Sequence, residues 1–410
     1  MLSLSFLRYN ARYLAFGFLL NFSSYFGQTP FIALFSGDIR ATFELSHGDF
    51  GSLYLIATIA SAMSLAVYGR LADRVSLGIL GMVALAGLAV MSLSMAFAGS
   101  VGVLVLVLYG LRLFGQGMTG HIAMTAMGRW YTRARGRALS FAGLGHPIGQ
   151  SFFPLVTVGI VAAFGWRQAW IVGMFYLLAL APFVFWLARR DPGEEAEAAL
   201  KEARDADAMA IRHWSRSEVI RDPLFYILLP AVLAPPFMMT GVFFHQVHLV
   251  ESKGWSLALF ASGYPVYSTF TVALSLLTGW AIDRFGSGRL LPYYLLPMAT
   301  ALSILAYTDG PTGLFAFMIL GGTSSGAGMS LIGSLWPELY GTRNLGSVRA
   351  VIVGGMVLAS ALAPGLMGWL IDAGVHIESQ LFAMSAWAYG AALLMTMLSF
   401  RSPRIIAMRR

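Results

Sequence analysis

The feature that most limits what this chain can become is a succession of apolar runs, each about 20 residues long, joined by short connections that carry almost all of its charge. Wound as a helix, a run of that length crosses a hydrocarbon layer of about 30 Å, whereas barrel strands would alternate apolar and polar residues. Twelve spans are read this way: residues 13–35, 50–68, 78–98, 101–127, 138–164, 169–187, 224–249, 256–279, 290–307, 313–335, 351–370 and 380–400. With 58% hydrophobic and 11% charged residues among 410, the chain lies far from the quarter-charged makeup of soluble domains. The expected fold class is all-α integral membrane.

The charges report orientation. Of 27 Lys and Arg, 23 fall in connections on the side of the N-terminus, 3 (Arg40, Arg167 and Lys253) on the other side, and one, Arg112, inside a span. Cytoplasmic connections carry the excess of Lys and Arg, so both termini are expected in the cytoplasm, with the chain crossing a cell membrane, read as a bacterial inner membrane. Arg8 and Arg12 precede an apolar run that continues well past a signal peptide's core without an obvious small-residue cleavage site, so it reads as a retained first helix. The net charge of +8 is spread over many connections rather than gathered on one module, and no nucleic-acid partner is expected. With no cysteine there is no disulfide or thiolate site; no metal or other cofactor is expected, and the chain reads as a monomer in the lipid bilayer. The one long polar segment, 189–222, is rich in Ala, Glu and Lys and is expected to be a cytoplasmic linker with a surface helix. It would separate an N-terminal bundle, 1–188, from a C-terminal bundle, 223–410.

The two halves echo one another. Y-G-R-L-A-D-R-V-S after the second span, beginning at Tyr68, returns as G-W-A-I-D-R-F-G after the eighth, with the glycines at Gly69 and Gly279. R-W-Y-T-R-A-R-G-R-A before the fifth span is matched by L-W-P-E-L-Y-G-T-R-N-L-G-S-V-R-A before the eleventh. Repeats of this kind precede any other fold assignment. The G-x-x-x-D-R turns resemble the signature of the major facilitator superfamily, the first copy departing at Ser76 and Leu77. The resemblance implies twelve transmembrane helices as two pseudo-symmetric six-helix bundles and a secondary transporter. Asp73 and Asp283 can face the positive N-terminal ends of helices that begin on the same side. A gate is therefore expected from Gly69, Asp73 and Arg74 against Arg349 at the start of the eleventh span, and from Gly279, Asp283 and Arg284 against Arg137 at the start of the fifth. The alternative is that these charges only anchor loops in water.

At a finer level, R-W-Y-T-R-A-R-G-R-A-L-S-F-A-G, residues 129–143, looks like the entrance to the fifth helix in bacterial relatives of the monocarboxylate transporter family. That family's acidic-glycine-aromatic motif in the first helix and its Asp-Arg pair in the eighth are absent; the first helix has N-F-S-S-Y-F-G-Q-T-P and the eighth G-Y-P-V-Y-S-T-F-T. G-L-G-H-P-I-G-Q, residues 143–150, loosely matches an antiporter motif, with His146 intruding and Gln150 in place of the last glycine.

Charges inside a membrane are costly and mark functional candidates. Arg112 is the one fixed charge near the middle of a span, with Gln116, Thr119 and Gly120 following on its face if the helix is regular. Its guanidinium suits a carboxylate in a two-bond geometry; the alternative is a structural arginine bonded to helix-end carbonyls. Asn21, Ser24, Tyr25 and Gln28 form a polar stripe in the first span at i, i+3, i+4, i+7, facing either a cavity or a neighbouring helix. Gln150, Tyr264 and Tyr267 complete the candidate substrate contacts. His146 and His245 are candidates for proton coupling, the latter with His248 near the outer end of the seventh span, after Pro235 and Pro236, which are expected to break that helix. G-T-S-S-G, residues 322–326, looks like a hydrolase elbow but sits in a small-residue helix, where close packing is the expected role. The function expected is proton-coupled transport of a small organic anion, monocarboxylate-like, by symport and without enzymatic activity. The alternatives are an exporter of neutral drugs or metabolites and, from other classes, an intramembrane protease or a non-transporting sensor.

Overall fold

The computed structural model describes residues 4–69, 72, 74–131, 135–189, 214–341 and 344–408. Asp73, Arg133 and most of the 189–222 linker lie outside the described residues. All regular structure within them is helical.

Among the described residues ten helices are long and apolar enough to cross a membrane: His47–Tyr68, Leu77–Ala96, Val101–Trp130, Gly136–Phe164, Trp166–Ala188, Pro223–Phe244, Leu257–Phe285, Pro311–Tyr340, Gly346–Asp372 and Ile377–Arg401. The other two expected spans are interrupted. In the first, Leu4–Ser23 tightens into a 3-10 turn, Ser24–Gly27, and the chain extends at Gln28 (φ −82°, ψ 148°) before the short helices Thr29–Ala33 and Ser36–Phe43. Pro30 fixes that break, because a residue without an N–H fits only the first turn of a helix. In the ninth, turns separate Ser287–Leu290 from a 12-residue helix, Leu296–Tyr307; Pro292 lies in those turns and Pro297 in the first turn of the helix, where a residue without an N–H costs no helical hydrogen bond.

The seventh span corrects one expectation. Pro235 and Pro236 do not break it: the helix Pro223–Phe244 runs through Pro230, Pro235 and Pro236 and stops at His245. Pro235 cannot donate to the carbonyl of Ala231, and the buried hydroxyl of Tyr294 donates to that carbonyl instead, at 2.6 Å. A neighbouring helix thus satisfies the group that proline frees, which is how prolines are tolerated inside membranes.

Two compact units divide the chain: Met1–Glu44 with Leu53–Met209, and Leu45–Ser52 with Ala210–Arg410. In the first, Leu4–Ser23 packs on Gly145–Phe164, and Leu77–Ala96 on Trp166–Ala188. In the second, Pro223–Phe244 packs on Leu345–Asp372, and Leu296–Tyr307 on Ile377–Arg401. Counted by spans, first-with-fifth and third-with-sixth recur as seventh-with-eleventh and ninth-with-twelfth. The repeat heard in the turns is therefore also a repeat of helix pairing.

Lipid tails are as apolar as leucine, so helix association here rests on fit and on polar contacts rather than on exclusion of water. The second unit shows both. Gly322 and Gly326, of the hydrolase-like motif, lie against the carbonyls of Tyr267 and Thr271, where a methyl group would collide with backbone; Ser324 donates to the carbonyl of Tyr294 at 2.6 Å. The motif is a helix-packing surface. At one end of the unit, buried Lys253 reaches Asp309 at 2.8 Å and Glu378 at 3.3 Å. At the other, Asp222 caps Pro223–Phe244 and accepts from Tyr340 and Arg404, both at 2.8 Å. Arg404 in turn lies over the rings of Trp214, at 4.7 Å, and Tyr340, at 5.4 Å.

Candidate functional site

The polar centre of the first unit is built where two irregular helices touch. Gly27, at the end of the 3-10 turn, lies against the fourth span at Leu111 and Gly115, and a methyl group on either glycine would overlap the backbone of the other segment. On that face the fourth span is wound as a π-helix, Arg112–Thr119. The wider winding carries an extra residue per turn and often marks functional positions.

Both irregularities serve Arg112, whose side chain is buried at 3% exposure. The first span ends at Gly27, which frees its carbonyl, and Nη1 of Arg112 donates to that oxygen at 3.1 Å and to Thr29 Oγ1 at 3.3 Å. The Thr29 and Tyr54 hydroxyls bond at 2.6 Å, and the guanidinium carbon lies 5.2 Å from the centre of the Tyr54 ring, a cation–π distance. Among the described residues both hydrogen bonds leave from Nη1; Nε is buried without a partner. Among the described residues the edge formed by Nε and Nη2, two parallel N–H donors, has no acceptor. That is the fork geometry a carboxylate or phosphate accepts.

The other candidates are placed as follows. Asn21 is buried and its Nδ2 donates to the carbonyl of Ala142, at 2.9 Å, beside the interruption of the fifth span. Ser24 bonds its own helix, to the carbonyl of Asn21 at 2.6 Å. Tyr25 is fully buried among Phe31, Phe153 and the ring of His146, 6.4 Å away. Gln28 is half-buried at the break itself. The stripe thus divides: Asn21 serves the fifth helix, and Gln28 lies at the break leading to Thr29. Gln116 is half-buried within the π segment and Gln150 is buried in the fifth span. Thr119 turns back onto the carbonyl of Gly115.

In the second unit Tyr264 donates to Gln246 at 2.9 Å and Tyr267 to Ser325 at 2.7 Å. His245 occupies the interruption of the seventh span, its Nε2 at 3.0 Å from the carbonyl of Pro364. Its ring is 6.0 Å from that of His47, which is 4.6 Å from His248. Asp372 accepts the amides of His47 and Gly48 at 3.1 and 2.7 Å, a carboxylate at a helix N-terminus. Nothing in the spacing of the sequence pointed to Asp372; Asp49 shares that turn and hides the signal.

Among the expected gate residues, the carbonyl of Gly69 meets Nε2 of His121 at 3.1 Å and the turn behind it is held by Arg129, whose Nη1 donates to the carbonyl of Ala72 at 2.6 Å. Arg74, Arg137 and Asp283 are exposed. Around Gly279 a methyl group would meet no atom within 4 Å. Arg284 lies 5.7 Å from the ring centres of both Trp280 and Phe285, and Arg349 donates to the carbonyl of Gly333 at 3.2 Å.

Helix content, repeated pairing and signature turns define a multi-pass membrane protein of two related units. The profile of the Major Facilitator Superfamily matches residues 17–308, and the chain belongs to that family, one of transporters and not enzymes. Among curated relatives it is 26% identical over 278 residues to the glycerol-3-phosphate transporter of Bacillus subtilis (strain 168), a match covering 63% of this chain and 62% of the relative. It is 25% identical over 276 residues to an uncharacterized protein of Mycobacterium tuberculosis (strain ATCC 25618 / H37Rv), covering 66% and 64%. The chain thus spans a little over three fifths of the curated relatives it matches. Among solved structures it resembles a bacterial homolog of the human lysosomal transporter Spinster, inward-facing and unoccupied, with TM-score 0.74, 16% identity and 98% of both chains covered. A D-xylose-proton symporter follows with TM-score 0.67, 17% identity and 94% and 97% covered. These likenesses are of fold.

Proposed function

We propose that the protein is a secondary active transporter that moves a small organic anion, monocarboxylate-like in its single acidic group, by alternating access of its two bundles. The observation that supports this reading is the unpartnered Nε and Nη2 edge of Arg112, beside a guanidinium otherwise held by neutral groups. A cation so placed is stabilised by a ligand that brings the missing charge. The substrate named for the Bacillus subtilis relative, glycerol-3-phosphate, is also an organic anion. Gln116, Asn21, Tyr25, Gln28 and Gln150, with Tyr264 and Tyr267 of the second unit, are the accompanying contacts in this reading. Proton symport is the proposed coupling; His146, His245 or the substrate's own acid would carry the proton. Closure on the cytoplasmic side is assigned to Asp73, Asp283 and the arginines around them.

Counterflow into proteoliposomes with labelled monocarboxylates, dicarboxylates, glycerol-3-phosphate and neutral compounds tests the class. Anions should exchange and neutral compounds should not; exchange of neutral compounds alone would favour the exporter reading. In purified protein Arg112→Gln should weaken binding of the exchanged anion about tenfold to a hundredfold, the value of one charge-assisted contact, and Arg112→Lys should bind less tightly than the parent because it lacks the planar fork. Unchanged affinity in a well-folded Arg112→Gln protein would leave the arginine a purely structural group.

A further inference from the structure

The ninth and twelfth spans of the second unit are unequal. Leu296–Tyr307 has 12 residues and rises about 18 Å; its packing partner Ile377–Arg401 has 25 and rises about 37 Å. Near Arg401 the longer helix therefore runs on where the shorter one has given way to the turns at 291–295. A groove of about 380 Å³ opens there, lined by Phe285, Arg289, Leu290, Tyr293, Ser399 and Phe400, among others.

We propose that this groove holds an anionic phospholipid, its phosphate on Arg289 and its acyl chain along the exposed flank of the twelfth helix. Five observations converge. Arg289 is exposed and, among the described residues, makes no hydrogen bond or ion pair. Its backbone is nonetheless fixed: Ser287 donates to Glu338 at 2.7 Å, the amide of Gly288 to the carbonyl of Met408 at 3.4 Å, and Ser399 to the carbonyl of Gly288 at 2.8 Å. The side chain therefore springs from a fixed point at the rim of the groove. Around it, Tyr293 and Phe400 are 62% and 67% exposed, the aromatic girdle of a membrane interface. Deeper along the twelfth helix Met397 and Leu393 are exposed as well, a path for a hydrocarbon chain. Arg284, next to Phe285 of the groove lining and 5.7 Å from its ring centre, adds a second cation. Basic sites between helices on the cytoplasmic face select anionic headgroups, and a helix too short for its bilayer is accommodated by lipid. The leaflet follows from the orientation argued from the basic residues.

The test is native mass spectrometry of the detergent-purified full chain, titrated with dioleoylphosphatidylglycerol or dioleoylphosphatidylcholine. The parent should retain one phosphatidylglycerol in preference to phosphatidylcholine. Arg289→Gln should hold it about tenfold more weakly, the loss of one charge-assisted contact. Thr396→Trp, which fills the groove and leaves every charge in place, should exclude it, whereas Arg216→Gln, an exposed arginine elsewhere, should not change retention. Equal retention of the two lipids by the parent, or undiminished retention by Arg289→Gln, would overturn the proposal. Displacement of the lipid by millimolar inorganic phosphate would assign the site to a soluble anion and overturn it equally.

Discussion

A charge in the middle of a membrane span was visible in the sequence at Arg112, and so was the choice it posed between binding an anion and bonding helix ends. The structure shows the second without removing the first, because the guanidinium has two sides: Nη1 is bonded to Gly27 and Thr29 while Nε has no partner. Which side faces which group depends on a break in a different helix, and no local pattern around residue 112 encodes it. Tyr54 makes the division testable. Tyr54→Phe removes the hydroxyl bonded to Thr29 but keeps the ring beneath the cation, and should cost about 0.5 to 1.5 kcal/mol. Tyr54→Leu also removes the cation–π contact, worth about 2 kcal/mol when desolvated. Melting temperatures should fall in the order parent, Phe, Leu; equal melting of the Phe and Leu variants would show that the ring does not support the arginine.

Helical periodicity was legible wherever helices stay regular, and misleading where they do not. The polar stripe at Asn21, Ser24, Tyr25 and Gln28 assumes 3.6 residues per turn, but the turn at Ser24–Gly27 winds tighter and Gln28 is extended, so the phase is lost after Tyr25. The face assigned to Arg112, Gln116 and Thr119 slips for the opposite reason, since the π segment winds wider. Hydropathy averages over both. The hints were the glycines, Gly27 and Gly115, whose contact is known only once the helices are side by side. Deleting Gly117 should return the segment to α winding, with Arg112 and Gly115 shifted relative to Gly27 because the residue that the wider turn accommodates is gone. The expected result is a folded protein that reaches the membrane but has lost substrate binding and the Gly27 contact. Wild-type affinity after the deletion would show that the wider winding has no part in the site.

For the whole molecule, the span count came from run length alone: among the described residues, ten long helices and two spans broken into shorter pieces occupy the twelve apolar runs. The pairing repeat was announced by two turns of a few residues each. What the sequence withheld is how the second unit is fastened, since Asp372 and Tyr294 act on groups more than sixty residues away. Orientation still rests on the 23 to 3 distribution of basic residues. A reporter joined after Arg410 or inserted within 194–207 should be active only as a cytoplasmic fusion; periplasmic activity at either place would reverse the assignment of sides.

The fastening of Asp222 carries a consequence for biosynthesis. Its carboxylate is nearly sealed from solvent, with side-chain exposure of 7%, and its guanidinium partner is 182 residues further along the chain. At translation rates of about 5 to 20 residues per second, the acid exists for roughly 10 to 40 s before Arg404 is made. During that interval the helix Pro223–Phe244 cannot settle at its N-terminal end without burying an unpaired charge, which is strongly unfavourable. A chain cut short of Arg404 would stay in that condition. The bond between residues 222 and 404 can therefore form only when synthesis is nearly complete, and the second unit reaches its full stability last of all.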